Sequence, residues 1–504
     1  LTYTVKSFTW CFIIGCLFTT GRAHAETGQD ASSTEQLRKS VVNITATTQQ
    51  RDPMSPWRTW DPEVSVGSGV VIAPGRVLTN AHVVDNAINI MLDSDQLSLP
   101  VTGTLIAYDW GRDLALIETT DQSFIDAHPW VGLQAGLPAD GEEVVVMGYP
   151  IGGTAMSVTT GVVSRCQWDS MPWSQEMMVI QVDAAINSGN SGGPCFVGSQ
   201  IAGLSFASGE GDDIGYAIAA EEIDRFLREA DAGAIDGNTT WELYWQNSEN
   251  PALRQHLGVP DDASGIVVLS DDQDICQPWD VITNINGFDL TNSGEVVLEG
   301  GRRTYFRAAA GRFDPLVDGE TFKVEVLRRG VPITLRVQAK NSRNQVIPKR
   351  ANGDFPYIVI GPLVFGPLHV DLWKYHLDAE VSNTYFERGS PIGTNLDEQA
   401  LPEGKEFVAL LTDTLGHPIA GGYYMLPGQT LKAVNDRKVV TFSDFVKFIT
   451  STDDEWLVFE FNEANSDRMV FNRQALFDAT EDVLEDNGIR HATSKAFRHL
   501  WPPE

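Results

Sequence analysis

One short stretch decides how this chain is interpreted, and it reads Gly189-Asn-Ser-Gly-Gly-Pro194. Glycines on both sides of a serine let the backbone turn tightly and approach a neighbouring chain closely. The hydroxyl of Ser191 is a weak nucleophile at neutral pH, and it needs an adjacent base to react. The stretch alone could be an ordinary turn, so its interpretation depends on finding that base elsewhere in the sequence.

Two further motifs supply the base and its partner. The run Thr-Asn-Ala-His-Val-Val puts His82 at the end of a strand-like segment, and Gly-Arg-Asp-Leu-Ala-Leu-Ile puts Asp113 before an apolar strand. The chain order His, Asp, Ser is that of the chymotrypsin-type triad. In that arrangement His82 takes the proton of Ser191, and Asp113 orients the imidazole. The backbone N–H groups of Gly189 and Ser191 would then face the developing oxyanion.

The sequence around these motifs is rich in short β-like runs separated by Gly, Pro, Asn and Asp, a pattern typical of a sandwich or barrel. A helix is predicted over residues 220–230, where the apolar positions keep helical spacing. The predicted strands include residues 41–44, 69–72, 144–147, 161–163, 178–180 and 201–204.

The three motifs together resemble those of the HtrA/Deg family of serine proteases, and the plant-type Deg branch in particular. The resemblance continues through Asn250–Val259 and Tyr357–Phe365 and covers nearly the whole chain. It implies a mainly β chain, with a chymotrypsin-like double β-barrel protease domain followed by two PDZ-like α+β domains. The predicted divisions are residues 1–25 (signal peptide), 26–238 (protease domain), 239–342 (first PDZ domain) and 343–504 (divergent second PDZ-like domain).

The two later units show a faint internal repeat. Val281-Ile-Thr-Asn-Ile-Asn-Gly in one resembles Leu431-Lys-Ala-Val-Asn-Asp in the other, and Asn286-Gly287 is a strong signal for a tight turn. After the second copy, a helix is predicted over residues 442–449 and a strand over 456–461. The polar, basic stretch 340–350 between the units is predicted to be a linker.

Substrate preference is partly readable. Ala185 lies six residues before Ser191, where trypsin-like relatives place an Asp, so a basic residue is not expected at the cleavage position. The resemblance implies a substrate-binding pocket at Ala185 and Ile186, with a strand that pairs with substrate at Leu204, Ser205 and Phe206. An apolar pocket favours small or medium aliphatic residues, with discrimination of about 1–3 kcal/mol per methylene.

The sequence His256-Leu-Gly-Val resembles the carboxylate-binding loop of HtrA-type PDZ domains. In such domains a peptide adds as an extra strand, and its terminal carboxylate is captured by backbone N–H groups. Leu257, Gly258 and Val259 are therefore the candidate peptide-binding residues. Two alternatives stay open: an ordinary turn before a strand, or a PDZ unit that serves only assembly.

Length and charge narrow the class of protein. The chain has 504 residues, enough for about three domains. It contains 36 Lys and Arg residues against 68 Asp and Glu residues, a net charge of −32. This balance argues against nucleic acid and against anionic membranes as partners. No stretch after the leader reaches 18 apolar residues, so no membrane span is predicted.

The first 25 residues resemble a cleaved signal peptide. An apolar run over residues 8–18 follows Lys6, and Ala23-His-Ala25 fits a cleavage site. A weaker alternative is a lipoprotein box that ends at Cys16. The prediction is an exported protein, periplasmic if the source is a Gram-negative bacterium.

Cys166, Cys195 and Cys276 remain after the leader, an odd number that does not suggest a disulfide scaffold. Cys195 is expected to pack in the core, with a bond to Cys166 as the minor alternative. No spacing of Cys, His or acidic residues predicts a metal site, and no cofactor is implied.

The resemblance implies an ATP-independent endoprotease that degrades unfolded or misfolded proteins and assembles as a homo-oligomer built from trimers, possibly a hexamer. Two other functions fit the sequence: a holding chaperone or peptide-binding scaffold with little proteolysis, and a dedicated protease that matures one partner.

Overall fold

The computed structural model describes residues 30–150, 155–169, 177–187, 189–208, 214–233, 235, 239–241, 243–271, 273–297, 303–306, 321–341, 355–369, 371–372, 389–390, 406–423, 427–464, 466 and 468–501. The predicted signal peptide and lipoprotein box lie outside the described residues, as does most of the predicted linker.

The first unit begins with a helix and a closed six-stranded antiparallel barrel. Along the barrel wall the strands run in the order β1-β2-β3-β6-β5-β4. Alternating Val, Ile and Leu side chains fill the interior, because successive residues of a strand face opposite sides. The elements are α1 (Asp30–Arg38), β1 (Val41–Thr48), β2 (Glu63–Ala73), β3 (Arg76–Thr79), β4 (Ala87–Asp93), β5 (Val101–Asp109) and β6 (Leu114–Glu118).

A short helix leads into a second closed barrel with strand order β10-β11-β12-β9-β8-β7. The apolar cluster between the barrels includes Leu78 and Leu116 from the first, and Met147 and Leu204 from the second. Two closed barrels confirm the predicted double-barrel fold. The elements are α2 (Gln122–Ala127), β7 (Glu143–Gly148), β8 (Ser157–Asp169), β9 (Met177–Val182), β10 (Pro194–Val197), β11 (Gln200–Ser208) and β12 (Gly215–Ala219).

The predicted helix after the second barrel is present as α3 (Ala220–Ala232). Ile223 and Phe226 are fully buried and pack into the cluster between the barrels. The helix ends at Gly233, which adopts the left-handed conformation (φ 71°) that glycine tolerates best. This helix ties the end of the protease unit to both barrels.

The second unit has an antiparallel sheet in the order β14-β15-β16-β20-β21, with β17 paired to β16. The predicted tight turn is present, because Asn286 and Gly287 both have positive φ between β16 and β17. The elements are β13 (Thr239–Thr240), β14 (Leu243–Gln246), α4 (Pro251–Leu257), β15 (Ile266–Asp271), β16 (Val281–Ile285), β17 (Phe288–Asp289), β18 (Glu295–Val297), β19 (Arg303–Tyr305), β20 (Thr321–Arg328), β21 (Val331–Gln338) and β22 (Lys340–Asn341).

The third unit contains a three-stranded sheet and a four-stranded sheet in the order β27-β26-β28-β29. The helix and strand predicted after the second repeat are confirmed as α5 and β28. The elements are β23 (Ile358–Ile360), β24 (Leu363–Pro367), β25 (Val408–Leu410), β26 (Leu431–Val434), β27 (Arg437–Lys438), α5 (Phe442–Ser451), β28 (Trp456–Phe461), β29 (Met469–Asn472) and α6 (Arg473–Asp486), with 3-10 turns at Ala81–Val83, Pro418–Ala420 and Lys495–Leu500.

The segment between β1 and β2 reaches from the first barrel to the third unit. The ring of Trp57 meets that of Tyr357 edge-on, with centroids 5.7 Å apart. Arg58 donates a hydrogen bond to the carbonyl of Asn487 over 3.4 Å, and Met54 packs against the apolar cluster of the third unit. The chain therefore brings residues more than 400 positions apart into contact here.

None of the helices in the described ranges combines the length and apolar character that a bilayer span requires. Cys166, Cys195 and Cys276 are free, so the minor alternative of a Cys166–Cys195 bond is not formed. Cys195 is fully buried in the second barrel, as expected of a small core residue, and burial raises the pKa of its thiol to about 12.

Candidate active site

His82 and Asp113 meet on the first barrel. Nδ1 of His82 lies 2.7 Å from Oδ2 of Asp113, and the backbone N–H of His82 donates to Oδ1 over 2.9 Å. Both oxygens of one carboxylate therefore contact a single histidine. A carboxylate on Nδ1 favours the tautomer with the proton on that nitrogen, which leaves Nε2 free to act as a base.

The local backbone holds this pair in place. His82 lies in the middle of the 3-10 turn Ala81–Val83. The residues on either side of it, Ala81 and Val83, are buried in the first barrel. Asp113 has a left-handed backbone (φ 54°), uncommon for a residue with a side chain. Nδ2 of Asn80 donates to its carbonyl over 2.9 Å and stabilises that conformation. The Asp113 side chain is 1% exposed and that of His82 34%, so the carboxylate is shielded while the imidazole faces the cleft.

The turn that carries Ser191 requires its glycines. A Cβ on Gly192 (φ 83°) would lie 2.1 Å from the carbonyl oxygen of Ser68, and a Cβ on Gly193 would lie 2.2 Å from that of Met147. Both distances are far below any real contact, and the obstructing atoms are backbone. Only glycine fits at these positions, which explains why the serine is followed by two of them.

Ser68, on β2 of the first barrel, fastens this turn. Its N–H donates to the carbonyl of Ser191 over 2.8 Å, and its Oγ donates to the carbonyl of Gly189 over 2.8 Å. The same Oγ accepts from the N–H of Tyr149 over 2.7 Å. Sequence reasoning did not single out Ser68. The signal available was a serine between two glycines, Gly67-Ser-Gly69, directly before the predicted strand that begins at Gly69.

The nucleophile and base are not joined by a hydrogen bond. Among the described residues, none is formed between the side chains of Ser191 and His82. The N–H groups of Gly189 and Ser191 likewise donate to no described residue, so they are available to an oxyanion. Catalytic hydrogen bonds are often long or absent without substrate and tighten in the complex.

The predicted pocket residues occupy the wall of the second barrel. Ala185 is half-buried, Ile186 is buried beside Gly215, and Leu204 and Phe206 are buried in the cluster between the barrels. Ser205 holds the catalytic turn, because its carbonyl accepts from Gly192 and its N–H donates to Gly193, each over 2.8 Å. Their role in substrate binding stays a prediction.

A buried ion cluster, which sequence reasoning missed, adjoins Asp113. The Arg112 side chain is fully buried, its Nε lies 2.6 Å from Oδ2 of Asp109, and its Nη2 contacts Oε2 of Glu229 on α3. Burial alone would lower the pKa of Arg112, but the two carboxylates outweigh it and raise the pKa. The cluster joins the loop before Asp113 to the helix that follows the second barrel.

The proposed carboxylate loop of the second unit lies at the C-terminal end of helix α4. Leu257 ends helix α4, and Gly258 terminates it in the left-handed conformation (φ 69°). The N–H of Gly258 donates to Gln255 and that of Val259 to Arg254, both carbonyls of the helix itself. These two N–H groups therefore donate within the end of the helix, and the peptide-binding role of this loop stays a prediction.

Across the described ranges, no group of three or more His, Cys, Asp or Glu side chains is placed to hold a metal ion. The serine, the imidazole and the carboxylate are the candidate catalytic groups of this site. This donor set suits covalent acyl transfer, in which a hydroxyl attacks a carbonyl with the help of a base.

Comparisons with known proteins agree with this fold. A trypsin-like peptidase domain profile matches residues 67–200, and a PDZ domain profile matches residues 346–496. Protease Do-like 2, chloroplastic, of Arabidopsis thaliana is 29% identical over 466 residues, covering 89% of this chain and 74% of that protein. Putative Do-like 15 protein of the same plant is 32% identical over 176 residues, covering 34% of this chain and 77% of that one.

Among solved structures, the HtrA-type protease AlgW with tripeptide matches with a TM-score of 0.47 and 22% identity. The match covers 62% of this chain and 97% of that one. The fold and the profile matches define a serine endopeptidase with a chymotrypsin-like double barrel and PDZ domains. With the Do-like relatives, this means that the chain belongs to the HtrA/Deg family of serine proteases.

Proposed function

We propose that Ser191, His82 and Asp113 form the catalytic triad of this protease. The observation that carries the proposal is the pair of hydrogen bonds between Asp113 and His82. One carboxylate oxygen lies 2.7 Å from Nδ1 of His82, and the other lies 2.9 Å from its backbone nitrogen. These two hydrogen bonds fix the imidazole tautomer and stabilise the imidazolium once it forms. Asn80 and Ser68 act as positioning residues, one for the carboxylate and one for the serine turn.

In the proposed reaction, Nε2 of His82 takes the proton from Oγ of Ser191 as the oxygen attacks the scissile carbonyl. The oxyanion is met by the N–H groups of Gly189 and Ser191, and losing one such donor costs about 3 kcal/mol of transition-state stabilisation. The imidazolium gives its proton to the leaving amine. Water then hydrolyses the acyl-enzyme with His82 as base again.

An activity-based label tests the triad. A fluorophosphonate should modify Ser191 alone, as mapped by peptide mass spectrometry, and Ser191→Ala should abolish the label. Asp113→Asn should slow labelling by about 10⁴-fold, because the imidazole then adopts the wrong tautomer. Asp126→Asn is the control: its carboxylate on α2 accepts a hydrogen bond from Gln122 and lies outside the Arg112 cluster and the pair with His82, so the labelling rate should change far less. Labelling of another serine would contradict the proposal.

The proposed substrates are unfolded or misfolded proteins, cleaved after small or medium aliphatic residues. The apolar surroundings of Ile186 and Phe206, which pack in the core clusters of the protease domain, support this preference. A peptide series that varies only the cleaved residue should rank Val, Ile and Ala above Lys and Arg. Replacing Ala185 by Asp should raise the relative rate for Lys and Arg if the position lines the pocket.

We further propose that the protein is exported and acts without ATP as a homo-oligomer based on trimers, with residues 26–238, 239–342 and 343–504 as its functional units. Support for export comes from the leader sequence, and support for the division into units comes from the two profile matches. N-terminal sequencing of the secreted protein should begin near Glu26. Light scattering should give a mass that is a multiple of three chains.

A second candidate function, a holding chaperone, is favoured by one observation: the hydroxyl of Ser191 does not contact His82 among the described atoms. A protein that rested in this state would bind unfolded chains without cutting them. Aggregation of a thermally unfolded client separates the two functions. A chaperone protects the client equally as wild type and as Ser191→Ala, whereas a protease yields fragments only as wild type.

A further inference from the structure

A pocket of about 370 Å³ lies where the segment between β1 and β2 meets the third unit. One wall comes from residues 51–57 and the other from residues 355–357 and 488–498. None of the triad residues lines it. The aromatic rings of Trp57, Phe355 and Tyr357 form its apolar side.

The charge of this pocket opposes that of the chain. The protein carries a net charge of −32, yet among the described lining residues none is acidic and five are basic. Within the described ranges, no acidic side chain forms an ion pair with Arg490, Lys495 or Arg498. Burial lowers the pKa of His491, and the nearby cations Arg498 and Arg490 lower it further. The five basic lining residues are Arg51, Arg490, His491, Lys495 and Arg498.

Two buried donors line the same pocket. Ser494 is 6% exposed, and its Oγ has no hydrogen-bond partner among the described residues. Nε1 of Trp57 is buried and equally without a described partner. A buried polar group without a partner is unfavourable, so such groups are uncommon. Two of them in one small basic pocket indicate a ligand that would accept hydrogen bonds from both.

We propose that this pocket binds a small organic oxyanion, a phosphate or a carboxylate carried on an apolar body. Ser494 and Trp57 donate hydrogen bonds to its oxygens, and Arg490, Lys495 and Arg498 offset its charge. The aromatic rings pack against the apolar body. Because the walls come from the first barrel and the third unit, the bound ligand stabilises the contact between them.

Binding is best measured by titration calorimetry on the full chain carrying Ser191→Ala, which prevents self-digestion. This background makes the result independent of the proposed proteolysis. The probes are inorganic phosphate, phenyl phosphate and benzoate, with sodium chloride at matched ionic strength as the reference. Phenyl phosphate or benzoate should bind, and the aromatic phosphate should bind about tenfold more tightly than inorganic phosphate, since the rings then contribute.

Variants locate the site. Lys495→Gln with Arg498→Gln should weaken binding at least tenfold, because two charge-assisted contacts to the oxyanion are lost. The matched control is Lys432→Gln with Lys438→Gln, which removes two exposed charges from β26 and β27 of the same unit, outside the pocket. That control should change the affinity less than twofold, since long-range effects of exposed charges are screened.

The Ser494→Ala variant distinguishes a ligand-binding role of this hydroxyl from a structural one, because it is measured both without and with ligand. Without ligand, the melting temperature should stay the same or rise, because a buried unpartnered oxygen is removed. With ligand, affinity should fall about tenfold. The proposal is overturned if neither phenyl phosphate nor benzoate binds above the chloride reference. It is also overturned if Ser494→Ala binds as wild type, or if the control pair weakens binding as much as the pocket pair.

Discussion

Replacing Arg112 by methionine removes the one cation that two buried carboxylates share inside the protease unit. The Arg112 side chain is fully buried, and those of Asp109 and Glu229 are 5% and 14% exposed. Methionine keeps much of the volume against Phe226 but leaves the carboxylates without this partner. Breaking a buried ion pair by removing one member costs about 3–5 kcal/mol, because an uncompensated charge remains.

We expect the loss of stability to lie near the lower end of that range, because each carboxylate keeps another hydrogen-bond donor. Glu229 keeps Arg225, whose Nε lies 2.9 Å from Oε1, and Asp109 keeps the N–H of Gly111, 2.9 Å away. We therefore expect the free energy of unfolding to fall by about 3 kcal/mol. We also expect kcat to fall more than KM changes, because Arg112 positions the loop that carries Asp113.

Hydrogen exchange under increasing urea measures this change locally. The peptides to follow come from β6 and α3, so that opening of the later units does not enter the value. Arg76→Met is the matched control: it removes an Arg–carboxylate pair with Asp231, also on α3, whose side chains are 37% and 64% exposed. That exposed pair should contribute no more than about 1 kcal/mol.

A second variant tests whether the loss of stability comes from an uncompensated buried charge. Adding Glu229→Gln to Arg112→Met should recover part of the lost stability, because one uncompensated buried charge is removed. If Arg112→Met costs no more than Arg76→Met, the buried cluster does not hold the two elements together. The expectation that the buried ion pair stabilises the fold more than the exposed pair would then be wrong, whatever the effect of the variant on activity.

Three further predictions concern the site and its surroundings. Gly192→Ala should abolish fluorophosphonate labelling, because its Cβ would lie 2.1 Å from the carbonyl oxygen of Ser68; Gly198→Ala, at a positive φ in open space, should keep full labelling. Ser68→Ala should lower kcat and reduce the free energy of unfolding by about 2 kcal/mol, as two side-chain hydrogen bonds are lost, with urea unfolding as the measurement. Burial lowers the pKa of His128 below its usual 6.5, so the unfolded chain takes up a proton at a higher pH than the folded chain does. The free energy of unfolding, measured with urea, should therefore decrease from pH 7 to pH 5. The His128→Gln variant should show a smaller decrease.

The double barrel and the pair His82–Asp113 were predictable because the chemistry restricts both residue type and chain order. Short motifs carry that restriction, and strand alternation carries the fold around them. Local signals also sufficed for the turn at Asn286-Gly287 and for the strand Trp456–Phe461, since neither depends on distant residues.

Long-range pairings could not be predicted from the sequence. Glu229 lies 117 positions after Arg112, and only closure of the second barrel followed by α3 brings them together. The contact of Trp57 with Tyr357 has the same cause. The position of Gly258 depends on local signals: Asn250, Pro251 and the glycine itself are helix start and stop signals, and they place Gly258 at the end of a helix.

The most direct test of the account is the rate at which the mature chain cleaves unfolded casein, measured beside Ser191→Ala. The account predicts cleavage by the wild type and a loss of several orders of magnitude in kcat/KM in the variant, as removal of a triad member requires. Both proteins should bind casein with similar affinity. Cleavage by Ser191→Ala at a rate near that of the wild type would contradict the account, because another nucleophile would then perform the reaction.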